Sequence, residues 1–188
     1  MKSIRILISV VTVIAVLVVA SAAMARGLDR IKGTDGNDTL NGTSSADLIH
    51  ARGGDDTVNA GDGNDRIRGG KGADEIDAGD GNDRAWGGEG NDSLDGGNGN
   101  DVLRGRAGDD TVNGGDGNDV IWVGRGADVE NGGNGDDRMH ALADDNQVDR
   151  IDCGDGKDTV WLNSKENDVH TNCETVKTVT VTGDGDDD

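Results

Sequence analysis

The nine-residue units GGKGADEID at 69–77 and GGEGNDSLD at 87–95 decide the fold. Each unit has glycines before an aspartate and an apolar residue two positions after it, Ile76 and Leu94. Glycine stands two positions before each such aspartate, with Ser45 as the exception. The aspartate recurs every nine residues at twelve positions: Asp38, Asp47, Asp56, Asp65, Asp74, Asp83, Asp92, Asp101, Asp110, Asp119, Asp128 and Asp137. A fixed period of this kind indicates a repeat fold in which each unit needs its neighbours to bury its apolar residue.

The shape of one unit follows from its residues. Three residues with an apolar centre form a short strand with one side chain inward and two outward. The six glycine-rich residues before them form a tight turn, because glycine adopts positive φ without strain. Two units then complete one coil, and stacked coils repeat at the strand spacing of about 4.8 Å. The sequence therefore predicts an all-β parallel β-roll, a two-sheet β-solenoid of stacked nonapeptide-repeat coils.

The composition agrees with a fold that has no large aromatic core. The chain has 33 Gly and no Pro, Phe or Tyr, and 38 acidic residues against 18 basic ones give a formal charge of −20. A compact chain with that charge repels itself unless cations neutralise its carboxylates. Composition alone indicates either disorder or metal binding, and the order of the residues favours metal binding.

These units resemble the RTX, or haemolysin-type, calcium-binding repeat G-G-x-G-x-D-x-U-x. The resemblance covers about residues 33–140, and a degenerate form returns at 149–160. It implies several Ca²⁺ ions held between adjacent turns by the motif aspartates of successive coils and by turn carbonyls. The implied ligands are the twelve aspartates above together with Asp158. The alternative is that aspartate serves only as a turn former, which does not explain one fixed position held twelve times.

In a two-unit coil the motif aspartates alternate between the two edges of the roll. Carboxylates stacked on one edge repel each other without a cation, so we expect calcium binding and folding to be a single event. Sites of extracellular affinity, usually about 10⁻⁴ to 10⁻³ M, would stay empty in the cytosol, so export would trigger folding.

Three departures from the motif predict weak points. Residues 43–46 lose turn glycines before Asp47, and Val123 replaces a turn glycine before Asp128. Poor calcium binding is expected at both places. Glu130 takes an inward position, so its coil is expected to be distorted or open to solvent.

The first segment has the pattern of an export signal. Lys2 and Arg5 precede an uncharged run, and Ala23-Met24-Ala25 is an A-x-A cleavage pattern. We therefore predict a signal peptide at 1–25, a lead-in at 26–32, and a secreted or extracellular protein without a stable membrane span after cleavage. The alternative is an uncleaved anchor in the cell envelope, since about 20 apolar residues suffice to span a bilayer.

The chain has two cysteines, Cys153 and Cys173. In an exported protein the default is one intramolecular disulfide, with free thiols or an intermolecular bridge as alternatives, and zinc is disfavoured without a matching histidine pair. The segments 168–170 and 172–174 resemble the Cys-closed end of secreted repeat proteins, which implies a pair between these two cysteines. We predict the calcium-binding roll at 33–140, a degenerate terminal repeat with the disulfide at 141–177, and an edge strand with an acidic tail at 178–188.

Alternate nine-residue units contribute to opposite sheets, and the outward-facing residues of the two sets of units differ in character. One sheet is polar and slightly acidic, whereas the other is basic and carries tryptophan. The basic side chains and tryptophans of that second sheet form the Arg/Trp face: Arg66, Arg68, Arg84, Trp86, Arg104, Trp122 and Arg138. Arginine pairs with carboxylate or phosphate and tryptophan stacks on sugars, so this face could bind an anionic polysaccharide or a cell-surface protein. The alternative is that these arginines only offset the acidic edges.

The predicted function is therefore that of a secreted calcium-ion-binding β-roll whose folding is coupled to calcium, with a structural or interaction role. A calcium-dependent adhesive module is the alternative. We expect no nucleic-acid partner. Three histidines, His50, His140 and His170, lie apart with no nucleophile motif, phosphate loop or HExxH helix around them, so no enzyme activity is predicted.

Overall fold

The computed structural model describes residues 17–19 and 28–181, and all regular structure in these residues is β-strand. Two parallel sheets of nine strands face each other. Sheet A contains β1 (Leu17–Val19), β3 (Thr39–Thr43), β5 (Thr57–Gly61), β7 (Glu75–Asp77), β9 (Ser93–Asp95), β11 (Thr111–Asp116), β13 (Val129–Asn134), β15 (Arg150–Asp152) and β17 (Val169–Thr171). Sheet B contains β2 (Asp29–Lys32), β4 (Asp47–Gly53), β6 (Arg66–Lys71), β8 (Arg84–Glu89), β10 (Val102–Ala107), β12 (Val120–Arg125), β14 (Arg138–Ala141), β16 (Thr159–Asn163) and β18 (Thr175–Val179).

The strands alternate strictly between the sheets, so each coil contributes one strand to each sheet. Neighbouring strands pair 18 residues apart along most of the chain, as Val58 does with Ile76. The predicted two-sheet parallel β-roll of nonapeptide coils is confirmed. No helix in the described part of the chain is long enough and apolar enough to cross a membrane.

The core is the pair of inward columns that the motif predicts. In sheet A the buried column includes Leu40, Val58, Ile76, Leu94, Val112 and Ile151, and in sheet B it includes Ile31, Ile49, Ile67, Ala85, Leu103, Ile121, Met139 and Val160. Apart from Ile31 on the outermost strand β2, each of these residues lies on a strand that pairs with strands of the coils on both sides. Burial of this apolar area, at roughly 25 cal/mol per Å², is available only to stacked coils.

Residues near both ends of the repeat region join the roll. In the predicted lead-in, β2 pairs with β4 and buries Ile31. At the other end β18 pairs with β16 as the last strand of sheet B. The predicted signal segment lies outside the described residues apart from β1, which pairs with β3, and the predicted acidic tail lies outside them from residue 182 onward.

Three extra residues interrupt the period between β14 and β15. The spacing from Asp128 to Asp149 is 21 residues, yet the hydrogen bond between their coils is kept at 2.9 Å. The turn absorbs the insertion, with Asn146 at a φ of 63°. The stack therefore continues through the slip in the repeat.

Candidate metal sites and the basic face

The motif aspartates form one carboxylate ladder along each edge of the roll. In each ladder the backbone amide of one aspartate donates to Oδ1 of the aspartate in the next coil, at 2.7 to 2.9 Å across the twelve repeat positions. The first ladder contains Asp38, Asp56, Asp74, Asp92, Asp110 and Asp128. The second contains Asp47, Asp65, Asp83, Asp101, Asp119 and Asp137, and continues to Asp158. The structure thus brings all thirteen predicted ligands into two rows.

The second carboxylate oxygen of these residues is buried and has no hydrogen-bond partner. This holds for Oδ2 of Asp56, Asp65, Asp74, Asp83, Asp92, Asp101, Asp110, Asp119, Asp128, Asp137 and Asp158. A buried polar atom without a partner costs about 1–3 kcal/mol, and a row of charged oxygens costs more. Each such oxygen is therefore a ready ligand for a cation.

Beside six of these oxygens lies a space that exists because the first residue of the unit is glycine. A Cβ built on Gly96 would lie 2.6 Å from Oδ2 of Asp101 and would also meet the carbonyl oxygen of Gly114 in the next coil. Both atoms are hard oxygens, of the kind that calcium prefers. We call this space the cradle; similar cradles lie at Gly69, Gly87, Gly105, Gly114 and Gly132.

The cradle differs from unit to unit. The amide and hydroxyl of Thr43 both donate to Oδ2 of Asp47, at 2.7 and 3.1 Å, and Thr34 makes the same two contacts with Asp38. In other units a buried side chain stands where the first glycine would be: Ala51, Ala60, Ala78, Val123 and Cys153. Poor calcium binding at residues 43–46 and at Val123 stays a prediction, and the same reasoning extends it to the other units without an open cradle.

Several ladder carboxyls in the middle of the roll have a raised pKa. Burial raises the pKa of Asp65, Asp92 and Asp101 to about 7 against the usual 3.8, although a backbone amide donated to each opposes the shift. Burial likewise raises the pKa of Asp110 to about 8, with further contributions from Asp128 and Asp92 in the neighbouring coils. A divalent cation would supply the positive charge that these carboxylates lack.

No three carboxylate, imidazole or thiolate side chains of the described residues converge on one point. Any ion in a cradle must therefore take several of its ligands from backbone carbonyls. Glycine-rich turns supply them, and calcium accepts six to eight such oxygens. The residues present fit calcium better than zinc, which favours four nitrogen or sulfur ligands.

Three further carboxylates extend the ladders and were not predicted as ligands. Asp149 and Asp168 continue the first ladder at 2.9 and 3.1 Å, and Glu174 continues the second from Asp158 at 2.8 Å. Asp149 could have been found, because Ile151 follows it at the motif spacing. The other two lie outside the period, and only the stacking of the coils reveals them.

Asparagines just before the motif aspartates form hydrogen bonds between the turns of neighbouring coils. Oδ1 of Asn64 accepts the amide of Asn82, and Oδ1 of Asn100 accepts the amide of Asn118, at 2.8 and 2.7 Å. These oxygens are already bonded. Their role is to join coils.

Glu130 corrects one expectation. Its coil was expected to be distorted or open to solvent, but the side chain is 1% exposed, and β13 pairs in register with β11 and β15. Burial raises the pKa of Glu130 well above the usual value, and Asp149 and Asp128 add to the effect. The raised pKa favours the uncharged form of this carboxyl, and the stack continues through its coil.

A disulfide joins Cys153 to Cys173 and closes the C-terminal end of the roll. Cys153 is buried in the core, and Cys173 packs against it. The predicted pairing is confirmed. The bond ties the terminal coil to the segment between β17 and β18, where few other apolar contacts hold the chain.

The Arg/Trp face forms one continuous surface on the outer side of sheet B. Arg68, Trp86, Arg104 and Trp122 follow one another in register on adjacent strands. The column continues to Trp161 and Lys177, which the sequence analysis missed because they lie beyond the slip. The three histidines lie on separate strands, β4, β14 and β17.

The rings of this column stack on one another. The Arg104 guanidinium lies 4.5 Å from the Trp122 ring centroid, His140 lies between Trp122 and Trp161 at 4.9 and 4.5 Å, and Lys177 covers the far side of Trp161 at 4.4 Å. Both ring faces of Trp122 are therefore covered. A sugar ring therefore has no open face of Trp122 to stack on, while binding of a polymer by the rest of the Arg/Trp face stays a prediction.

The parallel roll and its two buried carboxylate rows define a metal-binding repeat protein. The chain belongs to the RTX calcium-binding nonapeptide repeat family, whose sequence model matches four times, at residues 32–67, 59–94, 95–130 and 131–164. Several calcium ions are the cofactor that this membership implies. No curated protein matches the chain.

Proposed function

We propose that this chain is a secreted, non-catalytic protein whose roll folds when calcium binds along its two edges, and that its role is structural or one of interaction. The observation that carries the proposal is the row of buried Oδ2 atoms without partners, six of which face a cradle. Without cations these carboxylates oppose stacking, and with cations they join the coils.

The state of each cradle predicts the relative calcium affinity of the site at its motif aspartate. The strongest sites should be the motif aspartates with an empty cradle and no threonine partner: Asp74, Asp92, Asp101, Asp110, Asp119 and Asp137. Asp38 and Asp47 should be weaker because a threonine already occupies one of their oxygens. Asp56, Asp65, Asp83, Asp128 and Asp158 should be weaker because a side chain fills the space.

Secretion is supported by the export pattern of residues 1–25 and by the disulfide, which persists in oxidising compartments. Millimolar calcium outside the cell would fill sites that stay empty in the cytosol. Export would then start folding, and the disulfide would hold the last coil in place.

The test is far-UV circular dichroism of the exported protein, titrated with calcium from chelator to millimolar levels, with magnesium as the control. We expect a steep gain of β signal that calcium produces and magnesium does not. The proposal fails if the spectrum is the same in chelator and in calcium.

A second candidate function is calcium-dependent adhesion through the Arg/Trp face. It is favoured by the column of alternating arginine and tryptophan side chains on sheet B of a protein with a formal charge of −20. Retention of the folded protein on an anionic matrix in calcium, and its loss in chelator, would support this role.

A further inference from the structure

We propose that the outer face of sheet B docks onto the outer face of sheet A of a second copy of this chain, so that calcium-loaded rolls associate in rows. Each outer face consists of the two columns of outward residues that flank the buried column of its sheet. The inference rests on the calcium-folded roll proposed above, because these columns exist only when the coils are stacked. It goes beyond that proposal by naming another copy as the partner.

The two outer faces carry opposite charge. Among the residues that the structure describes, the outer face of sheet B holds no acid. It holds four exposed arginines that form no ion pair with another described residue: Arg66, Arg68, Arg84 and Arg138. The outer face of sheet A holds four exposed acids and one base: Glu75, Asp77, Asp95, Asp152 and Arg150. Each face therefore has the counter-charges that the other lacks.

Like charges lie side by side on both faces. Asp77 and Asp95 are register partners on adjacent strands, and so are Arg66 and Arg84. Like charges directly opposite each other on neighbouring strands are destabilising. Burial and the charge of Asp95 raise the pKa of Asp77, which shows that this carboxylate lacks a compensating cation. A guanidinium brought by another copy would supply one.

The path of the chain places the two charge patterns in matching positions. The chain reverses direction at each turn of a coil, so the strands of sheet A run opposite to those of sheet B. The first outward residue of β6 therefore lies on the same side of the roll as the second outward residue of β7, on the other face. Arg66 corresponds in this way to Asp77, and Arg68 to Glu75. A second copy displaced along the normal to the sheets brings such residues together.

That displacement, with β6 of one copy against β7 of the next, forms four arginine–acid pairs between copies: Arg66–Asp77, Arg68–Glu75, Arg84–Asp95 and Arg138–Asp152. All four acids of the sheet A face are paired, and no acid faces an acid. A shift by one strand in either direction leaves one arginine–acid pair. Charge therefore specifies a single register, as complementary interfaces require.

Apolar residues fit the same register. Val129 and Val169 on sheet A are 41% and 56% exposed, and in this register they lie against Trp122 and Trp161 of the other copy. Burial of these side chains adds a contribution that attraction between charges alone does not supply. Nine strands about 4.8 Å apart give a face about 40 Å long and about 15 Å wide, so the contact buries on the order of 1,200 Å² in total. That area is at the lower limit of specific interfaces, where association is weak.

The contact does not close on itself. One copy contributes sheet B and the other sheet A, and a simple displacement repeated from copy to copy gives an open row. Calcium is needed for a second reason besides folding, because chains with a formal charge of −20 repel each other. Each bound Ca²⁺ adds two positive charges and lowers that repulsion.

The test is a charge swap between Arg66 and Asp77. These residues lie on opposite faces of one roll and cannot meet within a chain, so recovery in the double variant would report contact between copies. Sedimentation velocity at rising protein concentration, in millimolar calcium and about 50 mM salt, compares the wild type with Arg66→Asp, Asp77→Arg and the double variant. The control Asp35→Arg makes the same change of charge in an exposed turn outside both faces. Arg84 and Asp95 provide a second swap if either substitution prevents folding.

We expect the wild type to form species larger than a dimer as its concentration rises. Each single variant should associate on the order of tenfold more weakly, because one attractive pair in every contact becomes repulsive, and the double variant should recover to within about threefold of the wild type. Asp35→Arg should not weaken association. Diffuse electrostatics predicts the reverse for Asp77→Arg, since this change lowers the net negative charge of the chain. Stronger association of Asp77→Arg, or no recovery in the double variant, would overturn the docking.

Circular dichroism of the same samples separates this proposal from calcium-coupled folding. If the wild type folds on calcium addition but stays monomeric up to about 1 mM protein, the docking fails and coupled folding stands. If the wild type stays unfolded in calcium, both fail. Association that is unchanged at about 500 mM salt would also overturn the docking, because exposed charge pairs are screened there. A wild type that stays monomeric but needs Arg66 for retention on polygalacturonate would make an anionic polymer the partner of sheet B instead.

Discussion

The backbone amide of Asp83 donates a hydrogen bond of 2.8 Å to Oδ1 of Asp101, while Oδ2 of Asp101 is buried without a partner. One oxygen thus joins two coils and the other faces a cradle. This division of roles recurs along both edges. It means that the hydrogen bond and the proposed ion site can be changed separately.

Replacement of Asp101 by asparagine tests the ligand role of the ladder. Asn keeps an oxygen for the amide of Asp83 and removes the charge at the cradle. We expect the calcium concentration at the folding midpoint to rise roughly three- to tenfold, because calcium affinity follows the number of charged ligands. Asp95→Asn, on the exposed side of β9, removes the same charge outside the ladder and should leave the midpoint unchanged. Equal midpoints for the two variants would argue against the ladder as the site.

Replacing a cradle glycine by alanine tests whether an ion occupies the cradle, because the substitution leaves the charge of the aspartate unchanged. In Gly96→Ala the new Cβ would lie 2.6 Å from Oδ2 of Asp101, where an ion would otherwise bind. Calorimetric titration should then show fewer bound calcium ions per chain than the wild type. Gly53→Ala is the control, because its Cβ would meet no atom nearer than 3.9 Å. An unchanged number of ions in Gly96→Ala would exclude the cradle as the binding position.

Much of this architecture could be predicted because the repeat places one residue type at one structural position. Asp101 and Leu103 follow the motif, and the structure puts them in the ladder and the core. Glu130 was misjudged because sequence alone does not show that its coil can bury a carboxyl and still keep the register of the strand. Trp161 and Lys177 were missed because they lie beyond the slip in the repeat, where the nine-residue period no longer marks the outward positions.

The raised pKa values predict that a lower pH stabilises the calcium-free roll but weakens its binding of calcium. Asp101 titrates near 7 in the roll and near 4 in an unfolded chain, so the folded state binds more protons between these values. Stability of the calcium-free roll is therefore greatest below about pH 4 and is lost as pH rises through about 7. In chelator, β signal should increase between pH 8 and pH 5. Over the same range the calcium midpoint should rise, since protons compete for the oxygens. Titrations that are independent of pH would contradict these pKa shifts.

Removal of the disulfide should loosen the C-terminal end. The residues it joins are 20 apart in sequence, and closing such a loop stabilises a fold by about 3 kcal/mol in the chain-entropy account. We expect the double variant Cys153→Ser, Cys173→Ser to unfold at lower urea concentration in saturating calcium. Hydrogen exchange should increase first in β16 and β18. A uniform increase along the whole roll would indicate that the bond does more than close its end.

Replacement of Glu130 by isoleucine should stabilise the roll. Val112 and Ile151 flank Glu130 in the inward column of sheet A, and both oxygens of Glu130 lack a partner. An apolar side chain of similar size removes the cost of burying an unpaired carboxyl, about 1–3 kcal/mol. The gain should be larger at pH 8 than at pH 5, because protonation at low pH already removes part of the penalty. Urea unfolding in saturating calcium measures the change in the free energy of unfolding. The control is Glu75→Ile on the exposed side of β7, which should change that free energy by less than about 0.5 kcal/mol. A loss of stability in Glu130→Ile would mean that the carboxyl has a partner, such as a bound cation, that the coil requires.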